Sequence, residues 1–112
     1  MKAKTYQDVI LKCVFDYAYE YSQPRFGSCI RNRAGMLKLE RHTRALDGWT
    51  RYEPTAWCGG EKLTREESKD FSQALRELAL DQLLIFEVDA GGRPSWVKLT
   101  PKGLARAKKL TL

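Results

Sequence analysis

The chain has 112 residues, 43% of them hydrophobic and 11% aromatic, enough for one domain with a core and too apolar for a disordered segment. Its formal net charge of +6 favours an anionic partner, and no apolar run approaches the roughly 18 residues needed to span a bilayer. Cys13, Cys29 and Cys58 form an odd set without a C-x-x-C pair, which argues for free thiols in a reducing compartment and against a disulfide framework. No signal-peptide order of basic, apolar and small residues opens the chain, so a cytoplasmic protein is expected.

In chain order, Thr5 to Tyr21 reads as the first helix. Val9, Ile10, Cys13, Val14, Tyr17, Ala18 and Tyr21 make one broad apolar face, and Leu11, Phe15 and Tyr19 form a second stripe at four-residue spacing. A helix apolar on both sides is either sandwiched within the domain or shared with a second subunit. Ser22-Gln23-Pro24-Arg25-Phe26-Gly27 ends it. Ser28 to Leu46 reads as a helix weakened by Gly35, with a short strand at 36–40 as the alternative. Asp47-Gly48 marks a turn. Trp49 to Leu63, with Pro54, Gly59 and Gly60, reads as an ordered loop pinned by Trp49 and Trp57.

The clearest pattern follows. Thr64 and Glu67 have the T-x-x-E capping-box spacing, and Phe71, Ala74, Leu75, Leu78 and Ala79 recur at helical spacing behind them. A helix over about 65–83 is expected. Leu84 to Val88 and Ser95 to Leu99 are short strand-type runs joined by the turn residues Ala90-Gly91-Gly92-Arg93-Pro94, giving a hairpin over about 84–99. Thr100 as N-cap and Pro101 at the first helical position open a last helix, about 101–110. Trp96 is expected to alternate inward from its strand into the core.

The segments F-S-Q-A-L-R-E-L-A-L-D-Q-L-L-I at 71–85 and W-V-K-L-T-P-K-G-L-A at 96–105 resemble the corresponding region of MarR-like and PadR-like winged helix-turn-helix regulators. The resemblance covers the C-terminal part of the chain. It implies an α+β fold over 1–112, mostly helical, with a two- or three-stranded antiparallel wing. It also implies a small transcriptional regulator that binds double-stranded DNA as a homodimer. Those families usually carry Gly at the position of Gln82, so a left-handed helix end is left open here.

On that reading the helix over 65–83 enters the major groove, where Arg and Gln side chains make bidentate contacts to base edges. Arg65, Lys69, Ser72, Gln73 and Arg76 are the candidates, with Ser68 and Ser72 as alternative phosphate donors. Arg93 at the wing tip meets a minor groove or a phosphate, and Lys98 and Lys102 meet the backbone. Glu66, Glu67 and Asp70 count against the reading, although Glu67 is accounted for as a cap. The Leu11, Phe15 and Tyr19 stripe is the expected dimer interface. The alternative is an adaptor that meets an acidic protein through the same basic surface and never touches DNA.

Other chemistry has little support. His42 stands alone, and Cys29, His42 and Cys58 offer too few ligands at no zinc spacing, so neither an enzyme nor a metal or cofactor site is expected. Gly59-Gly60 and Gly91-Gly92 lack the surrounding phosphate-loop pattern. Trp49, Tyr52, Trp57 and Trp96 interleave with arginines in the manner of a single-strand stacking surface, the weaker of the two nucleic-acid readings.

Overall fold

The computed structural model describes residues 3–22 and 33–110, with side chains described at 6–20 and 39–110. Its elements are α1 (Ala3–Ser22), α2 (Arg33–Leu46), β1 (Trp49–Arg51), α3 (Pro54–Trp57), α4 (Arg65–Leu80), β2 (Leu84–Val88), β3 (Pro94–Leu99) and α5 (Pro101–Leu110). The architecture is α+β, predominantly helical, with one three-stranded antiparallel sheet.

The long helix α1 is the central element, packed by α2, α4, α5 and the sheet. Tyr6, Ile10, Leu11 and Val14 are buried on it, against Phe71, Ala74, Leu75 and Leu78 from α4, Val97 from β3 and Ala107 from α5. Each such large apolar side chain contributes about 1.5–3 kcal/mol on leaving water, so this seam is the main source of cohesion. Tyr52, Trp57 and Phe71 extend it as an aromatic cluster, with Tyr52 edge-on to Trp57 at 5.5 Å between centroids. Trp57 thus pins the 54–63 segment as expected.

Within residues 28–63 the helix reading holds over part of its span and the loop reading does not. Arg33–Leu46 is a helix and not a strand, and the stretch expected to be loop contains β1 and a single turn of α3. β1 is only three residues long, too short to show a period of two, and it exists because β3 supplies its hydrogen bonds. Residues 28–32, including Cys29, lie outside the described residues.

The sheet order is β1-β3-β2, so β3 is the central strand although it is last in sequence. Leu84 pairs with Leu99 and Phe86 with Val97, while Thr50 pairs with Val97 from the other side. These residues make the inner face. Thr50 is buried there, and its hydroxyl donates to the Val14 carbonyl at 3.2 Å, tying β1 to α1.

Trp96 belongs to the other face, which corrects the expectation that it points into the core. Val97 takes the inward place. Trp96 is nonetheless only 8% exposed. Its cover is Arg44 from α2, whose guanidinium lies 4.4 Å from the Trp96 ring and 5.2 Å from that of Trp49. The same guanidinium donates to both carboxylate oxygens of Glu87, at 2.9 and 3.0 Å. Planar Arg suits this sandwich because it stacks on aromatic faces while its edge grips a carboxylate.

Candidate nucleic-acid interface

The helix α4 begins as the sequence indicates. The Glu67 amide donates to the Thr64 hydroxyl at 3.1 Å and the Thr64 amide donates to the Glu67 carboxylate at 3.0 Å. Those bonds hold the Glu67 carboxyl below the usual carboxylate range. The helix ends three residues before the expected boundary, in a left-handed cap. Gln82 has φ of 62°, its amide donates to the Ala79 carbonyl at 3.1 Å, and the Leu83 amide donates to the Leu78 carbonyl at 3.0 Å. This is the Schellman arrangement, with Gln in the place usually taken by Gly.

With Phe71, Ala74, Leu75 and Leu78 inward, the outward face of α4 carries Arg65, Lys69, Gln73 and Arg76, all exposed. Ser72 is half-buried at its edge, and Ser68 is exposed. The Gln73 amide leans on Glu77, at 3.4 Å, and Glu77 also accepts from Gln7 of α1 at 2.8 Å. Glu66 and Asp70 share the exposed surface. Arg76 lies within electrostatic reach of Tyr52: burial pushes that phenol up to about 12, and Arg76 partly offsets the rise.

The β2–β3 connection is organised by Asp89. Its carboxylate accepts from the Gly91 amide at 2.9 Å and the Arg93 amide at 3.0 Å, and the Gly92 amide donates to the Asp89 carbonyl at 3.0 Å. Gly92, at φ of 79°, supplies the backbone conformation that other residues rarely adopt. Arg93 is exposed beside it. A bulge between Glu87 and Val88 adds an irregularity just before this turn.

The remaining candidates are more dispersed than the sequence reading supposes. Lys98 is half-buried on the outer sheet face, with its ammonium 5.9 Å from the Trp49 ring. Lys102 donates to the Asp81 carbonyl at 3.3 Å, at the C-terminal end of α4. That end is roughly 24 Å along the helix from Arg65, at 1.5 Å per residue. Arg65, Lys69, Gln73 and Arg76 therefore share one face, Arg93 stands at the hairpin turn, and Lys102 is engaged elsewhere.

The three proposed interface residues of α1 do not form one exposed stripe. Leu11 is 1% exposed and packed in the chain's own core, because it faces the seam that α1 shares with its neighbours. Phe15 is half-buried against that core, and Tyr19 is 67% exposed. Phe15 and Tyr19 instead line a groove of about 330 Å³ together with Ala18, Leu46, Lys98 and Leu104.

The stacking alternative loses its platform. Cations of the chain itself lie over the Trp49 and Trp96 rings, and Trp57 is buried. The thiols of Cys13 and Cys58 are both pushed up by burial, Cys13 to about 11, the opposite of what a reactive sensor thiol requires. Among the described residues no three His, Cys, Asp or Glu side chains are grouped so as to hold a metal ion, and no helix is long and apolar enough to cross a membrane.

Arg44 and Asp89 escape the sequence reading, although one holds the sheet's outer face and the other shapes the turn. Arg44 is one of seven cations between Arg25 and Arg51, and nothing in its neighbours marks it. Asp89, two residues before Gly91, carries the Asx-turn signal that could have been used. Comparison with protein-family models, curated proteins and solved structures gives no match to this chain.

Proposed function

We propose that this chain is a small winged helix-turn-helix protein that binds double-stranded DNA in a sequence-dependent way, as a transcriptional regulator. The observation that carries the reading is the strand order β1-β3-β2 with α3 and α4 inserted between β1 and β2. That order mounts a capped, outward-facing helix and a hairpin on the same small sheet, the arrangement a winged-helix reader needs. Arg65, Lys69, Gln73 and Arg76 are the base-reading candidates, and Arg93 is the wing contact. Lys98 is a backbone contact from the sheet.

A homodimer is part of the proposal, since two half-sites bound together gain avidity without new contacts. Its interface is the groove of Phe15, Tyr19, Leu46 and Leu104, where Tyr19 and Leu46 are 67% and 64% exposed.

A second reading, a protein-binding adaptor, is favoured by the exposed Glu66 and Asp70, which repel phosphate on the same helix face. Titration with random duplex at rising salt separates the two. A DNA binder weakens steeply through counterion release, whereas an adaptor shows negligible affinity at physiological salt. Selection from a random duplex pool then tests specificity, and recovery of a two-fold symmetric motif supports the dimer.

A further inference from the structure

Of the outward face of α5 the duplex reading uses only Lys102, at its N-terminal end. Lys102, Arg106 and Lys109 follow one another at four- and three-residue spacing, all exposed. They rim a groove of about 440 Å³ whose other lining is Leu83, Ala105 and Leu110. Neither Arg106 nor Lys109 has an acidic partner among the described residues. From Lys98 to Lys109 the chain carries five basic residues and no acid. The site is thus an apolar floor inside a ring of cations, two of them unneutralised.

The shape and chemistry select among anionic partners. A phosphate backbone matches the cations but brings nothing apolar to cover Ala105 and Leu110, which are exposed beside the buried Leu83. A bilayer surface needs several large apolar side chains that protrude together, whereas of this groove's two leucines only Leu110 is exposed and Leu83 is 3% exposed. An amphipathic helix with apolar side chains at i, i+4 and i+7 and carboxylates on its flanks satisfies both parts, in the helix-in-groove mode. We infer that the α5 groove docks an acidic amphipathic helix of a partner protein, with Ala105 and Leu110 above the buried Leu83 taking its apolar side chains and Arg106 and Lys109 its carboxylates.

The test uses the full chain and a dye-labelled synthetic peptide of about 15 residues, near the length at which an isolated helix becomes marginally stable. The peptide carries Leu at i, i+4 and i+7 and Glu on either side. Saturable binding by fluorescence anisotropy is expected, weakened about tenfold or more by Arg106→Glu with Lys109→Glu. A comparable loss is expected from Ala105→Phe, which fills the groove without changing charge. Both sites are exposed, and circular dichroism checks the fold of each variant. A peptide with Ser in place of each Leu requires no protein variant and should fail to bind the wild-type chain. Absence of binding, equal binding of the Ser peptide, or unchanged affinity in the charge-reversed variant each overturns the proposal. So does displacement of the bound peptide by anionic phospholipid vesicles, which would assign the cations to phosphate. These outcomes do not depend on whether α4 reads DNA, which the duplex titration decides separately.

Discussion

Gly103 of α5 lies directly on the Leu83 carbonyl: a Cβ placed on Gly103 would sit 1.7 Å from that oxygen. The contact lies at the junction where α5 is fastened to the end of α4. The Thr100 amide donates to the Leu83 carbonyl at 3.1 Å, and the Thr100 hydroxyl lies 2.6 Å from the Gln82 carbonyl. The Gly103 amide donates to that same hydroxyl at 3.1 Å, so one threonine both caps α5 and clasps the preceding turn. The L-T-P-K-G segment is thereby explained as a joint between two helices.

Gly103→Ala should therefore destabilise the chain by about 1–3 kcal/mol or more, although alanine is the better helix former. The obstruction is backbone and cannot rotate away. Thermal or urea unfolding measures the change, and a neutral or stabilising outcome would show that the α4–α5 joint yields easily.

Gln82→Gly should act in the opposite direction. A non-glycine residue in the left-handed region costs roughly 1–2 kcal/mol, partly offset by the greater unfolded-state freedom of glycine, about 0.4–1 kcal/mol. A net gain of up to about 1.5 kcal/mol in urea unfolding is expected. Loss of stability would mean that the Gln82 side chain contributes more than its backbone costs.

Arg44 should resist conservative replacement. Arg44→Lys keeps the charge but loses the planar stack on Trp96 and Trp49. The ion pair is partly solvated and contributes about 0.2–1 kcal/mol, with about 0.5–1 kcal/mol from each aromatic contact. Arg44→Ala should cost about 1–3 kcal/mol, and Arg44→Lys, which keeps the charge, about 1–2 kcal/mol. A double-mutant cycle with Glu87→Gln isolates the ion-pair share; zero coupling would leave the aromatic stack as the whole contribution.

For the duplex reading, Gln73→Ala or Arg76→Ala should lower discrimination between matched and scrambled sites by about 1–3 kcal/mol. Lys98→Ala should weaken all sequences alike and reduce the salt slope by about one. Lys102→Ala should have the smaller effect on binding, because its ammonium is engaged by the Asp81 carbonyl. Identical behaviour of all four variants would remove α4 from the binding site.

Alkaline pH should unfold the protein more easily than its carboxylates alone imply. Cys13 is raised from 9.0 to about 11 and Tyr52 from 10.0 to about 12, both chiefly by burial. The folded state therefore retains protons that the unfolded chain has lost. Stability from these groups is complete below pH 9 and declines as pH rises through 9 to 12. Urea midpoints across that range test the sign, and Cys13→Ser should flatten the lower part of the decline.

The elements from Thr64 to Leu110 were legible because their signals are local. A capping box spans four residues, a glycine-rich turn five, and Thr-Pro sets a helix start by itself. The outward placement of Lys69, Gln73 and Arg76 followed from helical period alone. The short strand β1 had no such signal, since its partner Trp96–Lys98 lies far along the chain and only closure of the sheet gives it hydrogen bonds. The facing of β3 was equally undecidable locally: Trp96 on one side and Val97 and Leu99 on the other are all apolar. Pairing with Leu84 and Phe86 turned Val97 inward, and Arg44, arriving from α2, gave Trp96 a cover on the outer face. Leu11 likewise became core because neighbouring elements close over it, a matter of packing that no stripe on an isolated helix reveals. Sequence determined where the helices and hairpin begin and turn; tertiary contact decided which of two apolar faces each one buries, because burial depends on a partner that local pattern does not contain.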